Sequence, residues 1–362
     1  MKIVVFAGGV GTRLWPLSRK NTPKQFEKII GDRSTLQKTI DRLIPDFSPS
    51  NIYIATGRRY KAIVVEQLPE IPKENFIFEP EMRDVGPAIG LVASLLESRF
   101  KNEPVAILWS DHLVKNIDAF KNVLHMAESM VMEKKADLVF IGQKPRFANQ
   151  NMGWIELGEP AEDHTNNGIT INKFNKLIYR PSLVDATTFF HKKNFVWNLG
   201  YYVTTPQFLT MQFRNFAPAM SDDLQIIART WGTEDFEKVL AKVYPKVEKI
   251  SFDDAILTKL ETKNIRVISA DLGWSDVGAW EALKEALSET EDENITKGNV
   301  IVEDSRDSLV FNSRDQLVVG IDLDKMIVIN TDDVLLVCLK TSVPKIKKLV
   351  ESLNGTQHEH LA

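Results

Sequence analysis

Between residues 2 and 142 short apolar runs alternate with stretches of helical spacing. The runs fall near Ile3 to Ala7, Ile52 to Ala55, Phe76 to Phe78, Val105 to Trp109 and Leu138 to Ile141. Helical spacing occupies the intervals, over Leu36 to Leu43, Ile63 to Leu68, Ala88 to Leu96 and Phe120 to Val131. Continuous apolar runs suit strands covered on both faces, so the alternation predicts βαβ units and a mainly parallel sheet. In such sheets ligands bind beyond the carboxyl ends of the strands. From about 150 to 285 the regularity weakens. A polar stretch, Glu159 to Gly168, reads as a surface loop, and the mixed short strands and helices around it read as an elaboration of the same domain. After the acidic stretch Glu289 to Glu293 the pattern changes again. Apolar pairs centred on Val300, Leu309, Val318, Ile327 and Leu335 recur at intervals of 9, 9, 9 and 8. That interval predicts a small all-β unit, either a meander or a few coils of a β-solenoid. A final helix, Val343 to Leu353, is expected to pack on it.

Composition narrows the class. The chain has 362 residues, 43% hydrophobic and 26% charged, as expected of a globular protein with one large and one smaller domain. A net charge of −4 provides no field for nucleic acid, and no basic run appears, so no nucleic-acid partner is expected. The lone Cys338, in an apolar strand-like context, excludes an intrachain disulfide and reads as a small buried hydrophobe. Neither a secretory leader nor an 18-residue apolar stretch occurs, which predicts a cytoplasmic protein without a membrane partner.

Candidate chemistry begins directly after the first apolar run. Gly8, Gly9 and Gly11 precede Thr12-Arg13-Leu14-Trp15-Pro16-Leu17-Ser18-Arg19, with Pro23-Lys24-Gln25-Phe26 following. Glycines after a strand let backbone turn tightly and approach phosphate oxygens, and Arg13 and Lys24 add one bidentate and one flexible cation. The string is neither a P-loop, which needs Gly-Lys-Ser/Thr, nor a dinucleotide fingerprint. Pro16 argues for a looped segment past the glycines. Two carboxylates stand out elsewhere. Asp111 ends the apolar run Val105 to Ser110 beside His112, and Asp276 lies in Gly273-Trp274-Ser275-Asp276-Val277-Gly278-Ala279-Trp280, where two tryptophans could fix the loop. Taken singly, either aspartate is better read as a turn or cap residue. Nucleotidyl transfer needs a held polyphosphate, a divalent ion and cations over developing charge, so carboxylates rather than His/Cys clusters are what it would leave in a sequence.

The Gly-Gly-x-Gly-Thr-Arg-Leu-Trp-Pro-Leu-Ser-Arg and Pro-Lys-Gln-Phe strings resemble the signature of the sugar-nucleotide pyrophosphorylases, and within them the mannose-1-phosphate guanylyltransferase branch. The resemblance runs through most of the chain. It implies a Rossmann-like α/β nucleotidyltransferase domain over residues 1–288 and a small all-β unit, a left-handed β-helix in relatives, over 296–355. It implies that Gly8, Gly9, Gly11, Thr12, Glu79, Arg83, Gly86 and Pro87 contact the nucleotide and that Arg13 and Lys24 act on the phosphates. Gly153, Tyr179, Arg180 and Asn198 fall at sugar-phosphate positions, Asp111 and Asp276 at those holding Mg²⁺, and Asp253 near the site. His112 is assigned no chemical role. The activity implied is GMP transfer from GTP to mannose 1-phosphate, giving GDP-mannose and pyrophosphate.

Departures from the pattern concentrate at the sugar end. Sixteen residues ahead of Trp197, where the family has Phe-Val-Glu-Lys-Pro, this chain has Leu177-Ile178-Tyr179-Arg180-Pro181. Tyr179 thus replaces a carboxylate and Arg180 a lysine, changing geometry and reach. Arg83-Asp84-Val85-Gly86-Pro87 stands where Arg-Asn-Thr-Ala-Pro is usual, and Val10 where a serine is common. Another sugar 1-phosphate or nucleotide, and a non-catalytic sugar-nucleotide-binding subunit, are the alternative readings. The apolar C-terminal unit is a reasonable interface for a homo-oligomer.

Overall fold

The computed structural model describes residues 1–9, 11–161, 168–261 and 263–362. They form two compact units, each discontinuous in sequence: residues 1–7, 41–109 and 115–272 in one, and residues 8–40, 110–114 and 273–362 in the other.

The first unit is built on nine of the ten strands β1 (Lys2–Phe6), β2 (Ile52–Gly57), β3 (Phe76–Glu79), β4 (Val105–Trp109), β5 (Leu113–Val114), β6 (Leu138–Gln143), β7 (Gly153–Pro160), β8 (Thr170–Tyr179), β9 (Phe195–Thr204) and β10 (Ile265–Ala270). Without β5, they order as β3-β2-β1-β4-β9-β6-β10-β8-β7. β1 pairs in parallel with β2 and β4, and β6 with β10. β8 and β9 run antiparallel to their neighbours. Seven of its nine strands therefore point the same way, with β8 and β9 reversed. Val4, Phe6, Ile107 and Phe140 lie in its buried core with the helix Val85–Phe100, whose residues from Gly86 to Leu96 are all buried. A helix that apolar can only be covered all round. The less regular region after residue 150 contributes four strands of this same sheet, as the elaboration reading expected. The predicted surface loop begins later than its polarity suggested: Glu159 is still in β7, in the half that pairs with β8 alone and so can show polar side chains. Residues 162–167 of that stretch lie outside the described set.

In the second unit β5 pairs with β11 (Trp274–Ser275) as a short antiparallel ribbon. The rest of its sheet structure comes from β12 (Ile295–Lys297), β13 (Val300–Glu303), β14 (Leu309–Asn312), β15 (Val318–Ile321), β16 (Met326–Asn330) and β17 (Leu335–Leu339). β12, β14 and β16 pair in parallel, and β13 pairs in parallel with β15. Parallel pairing of runs two steps apart decides between the two expectations: this is a solenoid, and the nine-residue apolar period is half a coil. Buried Asn330 donates to Asn312 Oδ1 across 18 residues, one full coil. β17 folds back antiparallel on β16 and ends the stack. Leu309, Phe311, Ile327 and Ile329 face inward with Leu14, Trp15 and Trp280. The terminal helix is shorter than expected, a 3-10 turn Lys340–Lys345 preceding an α-helix Ile346–Leu353, because Pro344 interrupts regular bonding. Cys338 is only partly buried, a correction to its reading as a core residue: on the covered face of the edge strand β17 it packs at the margin of the solenoid core.

Candidate active site

Four of the residues singled out in the sequence converge within the second unit. The glycine segment leads into a 3-10 turn, Thr12–Leu14, and a second turn, Lys24–Phe26, is buried. The segment is looped as Pro16 predicted, though with a turn of helix at Arg13. Gly11 has φ +61°, and a Cβ there would stand 2.9 Å from Cγ of Lys24, so only glycine leaves room for the lysine stem. The Lys24 ammonium lies 2.8 Å from Asp111 Oδ2 and donates to the backbone carbonyl of Asp276 at 3.3 Å. Two aspartates far apart in sequence thus meet at one amine. Gly278 N–H donates to Asp276 Oδ1 at 3.2 Å, and a Cβ on Gly278 would sit 3.1 Å from Asp276 Oδ2 and 3.2 Å from an Arg13 guanidinium nitrogen. Burial alone would raise the Asp111 carboxyl; the charges of Lys24 and His112 and the Lys24 hydrogen bond outweigh it and hold Asp111 below the usual carboxylate range. His112 stacks edge-on against Trp274 at 4.9 Å, an orienting contact. The other tryptophan of that loop, Trp280, donates to the Trp15 carbonyl at 2.9 Å and so ties the Asp276 loop to the Arg13 loop. The side chains of Val10 and Thr12 lie outside the described residues.

Among the described residues no group of three or more His, Cys, Asp or Glu side chains is placed to hold a metal. Two hard carboxylates beside two cations suit an ion that takes its remaining ligands from substrate phosphates and water.

The other predicted residues lie in the first unit, where strand register groups them. Gly153 of β7 pairs with Tyr179 of β8 and also with Asn198 of β9, putting all three on one rung. Asn198 Oδ1 accepts from Gly200 N–H at 3.0 Å, so its carbonyl end is satisfied locally. Arg180 follows β8 at φ +48°, with its guanidinium 5.0 Å from the Tyr179 ring centre. Asp253 sits in the same electrostatic neighbourhood with Asp254, Arg180 and Asp84, and burial raises its carboxyl to about 6.

Glu79, at the carboxyl end of β3, accepts a hydrogen bond of 2.5 Å from the Tyr244 hydroxyl. Burial pushes its carboxyl up to about 7, against the pull of that bond. Arg83 reaches Glu81 at 3.4 Å. Asp84 caps the helix Val85–Phe100, accepting from Val85 N–H at 2.7 Å. Gly86 donates its N–H to Ile250 O at 3.0 Å, and a Cβ there would lie 2.6 Å from that oxygen, so its smallness serves chain packing. Pro87, inside the first turn, has no N–H to place. Sequence reading missed Tyr244 and Asp84. Tyr244 carried no signal, whereas Asp before Val-Gly-Pro is a recognisable cap.

A large α/β sheet unit, and in the other unit a group of glycines, cations and aspartates, fit the class of the nucleotidyl transferases. Residues 2–293 match the family model described as nucleotidyl transferase, and residues 298–353 one described as MannoseP isomerase/GMP-like beta-helix domain. Mannose-1-phosphate guanylyltransferase 2 of Escherichia coli is 31% identical over 98% of this chain and 73% of its own length. Mannose-1-phosphate guanylyltransferase RfbM of Salmonella typhimurium is 30% identical over 97% of this chain and 72% of its own. The crystal structure of mannose-1-phosphate geranyltransferase from Thermus thermophilus superposes with a TM-score of 0.84 at 26% identity, covering 98% of this chain and 99% of that one. The chain belongs to the mannose-1-phosphate guanylyltransferase family. No helix among the described residues is long and apolar enough to cross a membrane.

Proposed function

We propose that this chain is an enzyme transferring GMP from GTP to mannose 1-phosphate, giving GDP-mannose and pyrophosphate. The observation that carries the reading is the Lys24 ammonium within reach of both the Asp111 carboxylate and the Asp276 carbonyl, with Arg13 beside Gly278. Asp111 and Asp276 would hold Mg²⁺, which when bound supplies charge stabilisation on phosphate oxygens. Glycines 8, 9 and 11 and Thr12 cradle the triphosphate through backbone. Arg13 and Lys24 neutralise the charge that grows on the leaving pyrophosphate as a sugar-phosphate oxygen attacks the α-phosphorus in line. Lys24 is held for this by three oxygens, those of Asp111, Asp276 and Val277, so its amine need not reorganise during the reaction. Positioning does most of the work.

Glu79, Arg83, Gly86 and Pro87 form the nucleoside end of the proposal. A carboxylate at Glu79 is complementary to the N–H donors of guanine, and Tyr244 fixes its orientation. Gly153, Tyr179, Arg180 and Asn198 form the sugar-phosphate end. Arg180 offers the phosphate a bidentate fork, and Tyr179 offers a sugar hydroxyl one phenolic partner in place of two carboxylate oxygens. Residues 1–288 and 296–355 are proposed as the two functional domains and the cytoplasm as their setting. The exposed Ile301, Val319 and Ile321 support a homo-oligomer formed through the solenoid.

Pyrophosphate release assayed over a panel of nucleoside triphosphates and sugar 1-phosphates tests the reading. The highest kcat/KM is expected for GTP with mannose 1-phosphate, and a clear preference for another pair would overturn it. GDP-mannose binding with no metal-dependent turnover of any pair would instead indicate a regulatory subunit.

A further inference from the structure

The compact unit that contains Arg13, Lys24, Asp111 and Asp276 also contains every coil of the solenoid. Residues 28–33, immediately after the Lys24 turn, have neither helix nor strand to satisfy their backbone. One side chain serves three of their carbonyls. Lys297, on the first solenoid strand β12, donates to the carbonyls of Lys28, Ile29 (3.1 Å) and Gly31 (3.4 Å). Its ammonium also stands 4.9 Å from the centre of the Phe311 ring, a core residue of the solenoid. An ammonium has three donors, and three carbonyls converge on it. Ile29 beneath them is buried in the same core, so the segment is pinned from both its polar and its apolar side. Two further contacts grip the Arg13 side of the loop. Arg19 forms a two-pronged ion pair with Asp333, which follows β16, and the Trp15 indole donates to the Leu361 carbonyl at 2.7 Å.

We infer that Lys297 is a positioning residue for Lys24, and that the solenoid serves the transfer reaction by holding the cation-bearing loop in its working geometry. The stem of Lys24 fills the space beside Gly11 while its amine is fixed on Asp111 and Asp276. A shift of the following residues therefore carries this fixed amine off its target. Displacements of about 1 Å in a reacting group are enough to cost on the order of 10²-fold in rate. This inference rests on the proposed guanylyl transfer for its kinetic consequence, while the holding of the loop stands on the contacts alone.

The test uses the full chain and the variants Lys297→Met, which keeps the apolar stem and removes the donors, and Lys297→Arg, which restores them. Hydrogen exchange by mass spectrometry over residues 24–31 reads the loop. Steady-state kinetics with saturating Mg²⁺ separates kcat from the Michaelis constants. Lys297→Met should exchange faster over 24–31 with β1 to β4 and β14 to β16 unchanged, and kcat per folded molecule should fall about tenfold with KM for GTP little altered. Lys297→Arg should recover most of both. Wild-type kcat in Lys297→Met, or unaltered exchange over 24–31, would overturn the inference, and so would protection lost uniformly along the chain. Should Lys297→Met fail to fold, Lys297→Gln, whose amide serves fewer carbonyls, is read on the same two measurements with the same outcomes. A wild-type chain that releases no pyrophosphate refutes the guanylyl-transfer reading, and the exchange result then still decides whether Lys297 holds the loop.

Discussion

The two units position their proposed site residues by different physics. In the unit of the nine-stranded sheet, Gly153, Tyr179 and Asn198 are placed by ladder register, and Glu79 by the end of a parallel strand. In the other, Arg13, Lys24, Asp111 and Asp276 sit on loops, and side chains replace the ladder: an indole on a carbonyl, an ammonium on three carbonyls, ion pairs at Asp307 and Asp333. Register places a residue through many backbone bonds at once, so no single side chain is indispensable to it. Loop placement rests on a few donors, each of which matters.

The largest expected effect follows from that contrast. Asp307 has a side chain only 2% exposed and pairs with both Lys284 and Lys340, joining the helix Trp280–Leu287 to the solenoid. Asp307→Ala strands two ammoniums and should cost ~3–5 kcal/mol in chemical denaturation. A loss under ~1 kcal/mol would mean that the loop-borne unit does not depend on its anchors. Next in size, Asp111→Ala and Asp276→Ala should each lower turnover by at least ~10²-fold, measured as pyrophosphate release. Near-normal rates in both would refute the metal assignment.

Changes on the register-borne side should be gentler and should fall on binding. The double variant Tyr179→Glu with Arg180→Lys, which restores the family pattern, should shift KM for mannose 1-phosphate by up to about tenfold while kcat holds. An altered kcat with unchanged KM would argue that these side chains meet the transition state instead. In the loop-borne unit, Trp280→Phe removes one buried donor to the Trp15 carbonyl and should cost ~1 kcal/mol of stability by thermal melting.

The remaining prediction is a pH dependence. Burial raises the Glu79 carboxyl from its ordinary 4.5 to about 7, so between those values the folded chain holds a proton that the unfolded chain has released. Its contribution to stability therefore declines as pH rises through that window. Glu79→Gln should flatten the corresponding slope in denaturation midpoints between pH 4.5 and 7, and an unchanged slope would show that the carboxyl titrates normally.

Much of the architecture was legible because it is written in short-range periodicity. The five apolar runs before residue 142 all became strands of one sheet, and the five recurring pairs after residue 300 all became strands of the solenoid. What periodicity lacked was partner choice. A meander and a solenoid share a nine-residue period, and only pairing of Leu309 with Ile327 separates them. Cys338 looked buried because its neighbours are apolar, yet it sits on an edge strand at the margin of the core. At the site, residue types pointed to Lys24, Asp111 and Asp276 one by one. Lys297 lies in an unremarkable Ile-Thr-Lys-Gly stretch, and a lysine that serves carbonyls leaves no local mark.

The sequence by itself determined the alternating elements, the glycine turn and the kinds of side chain available for phosphate and metal, since each depends on residues close together in the chain. The tertiary structure alone decided that Asp111 and Asp276 meet at Lys24 and that Lys297 holds the segment beside it. Such convergences are set by the packing of segments hundreds of residues apart, where the closure of long loops and the burial of a shared core choose the partners.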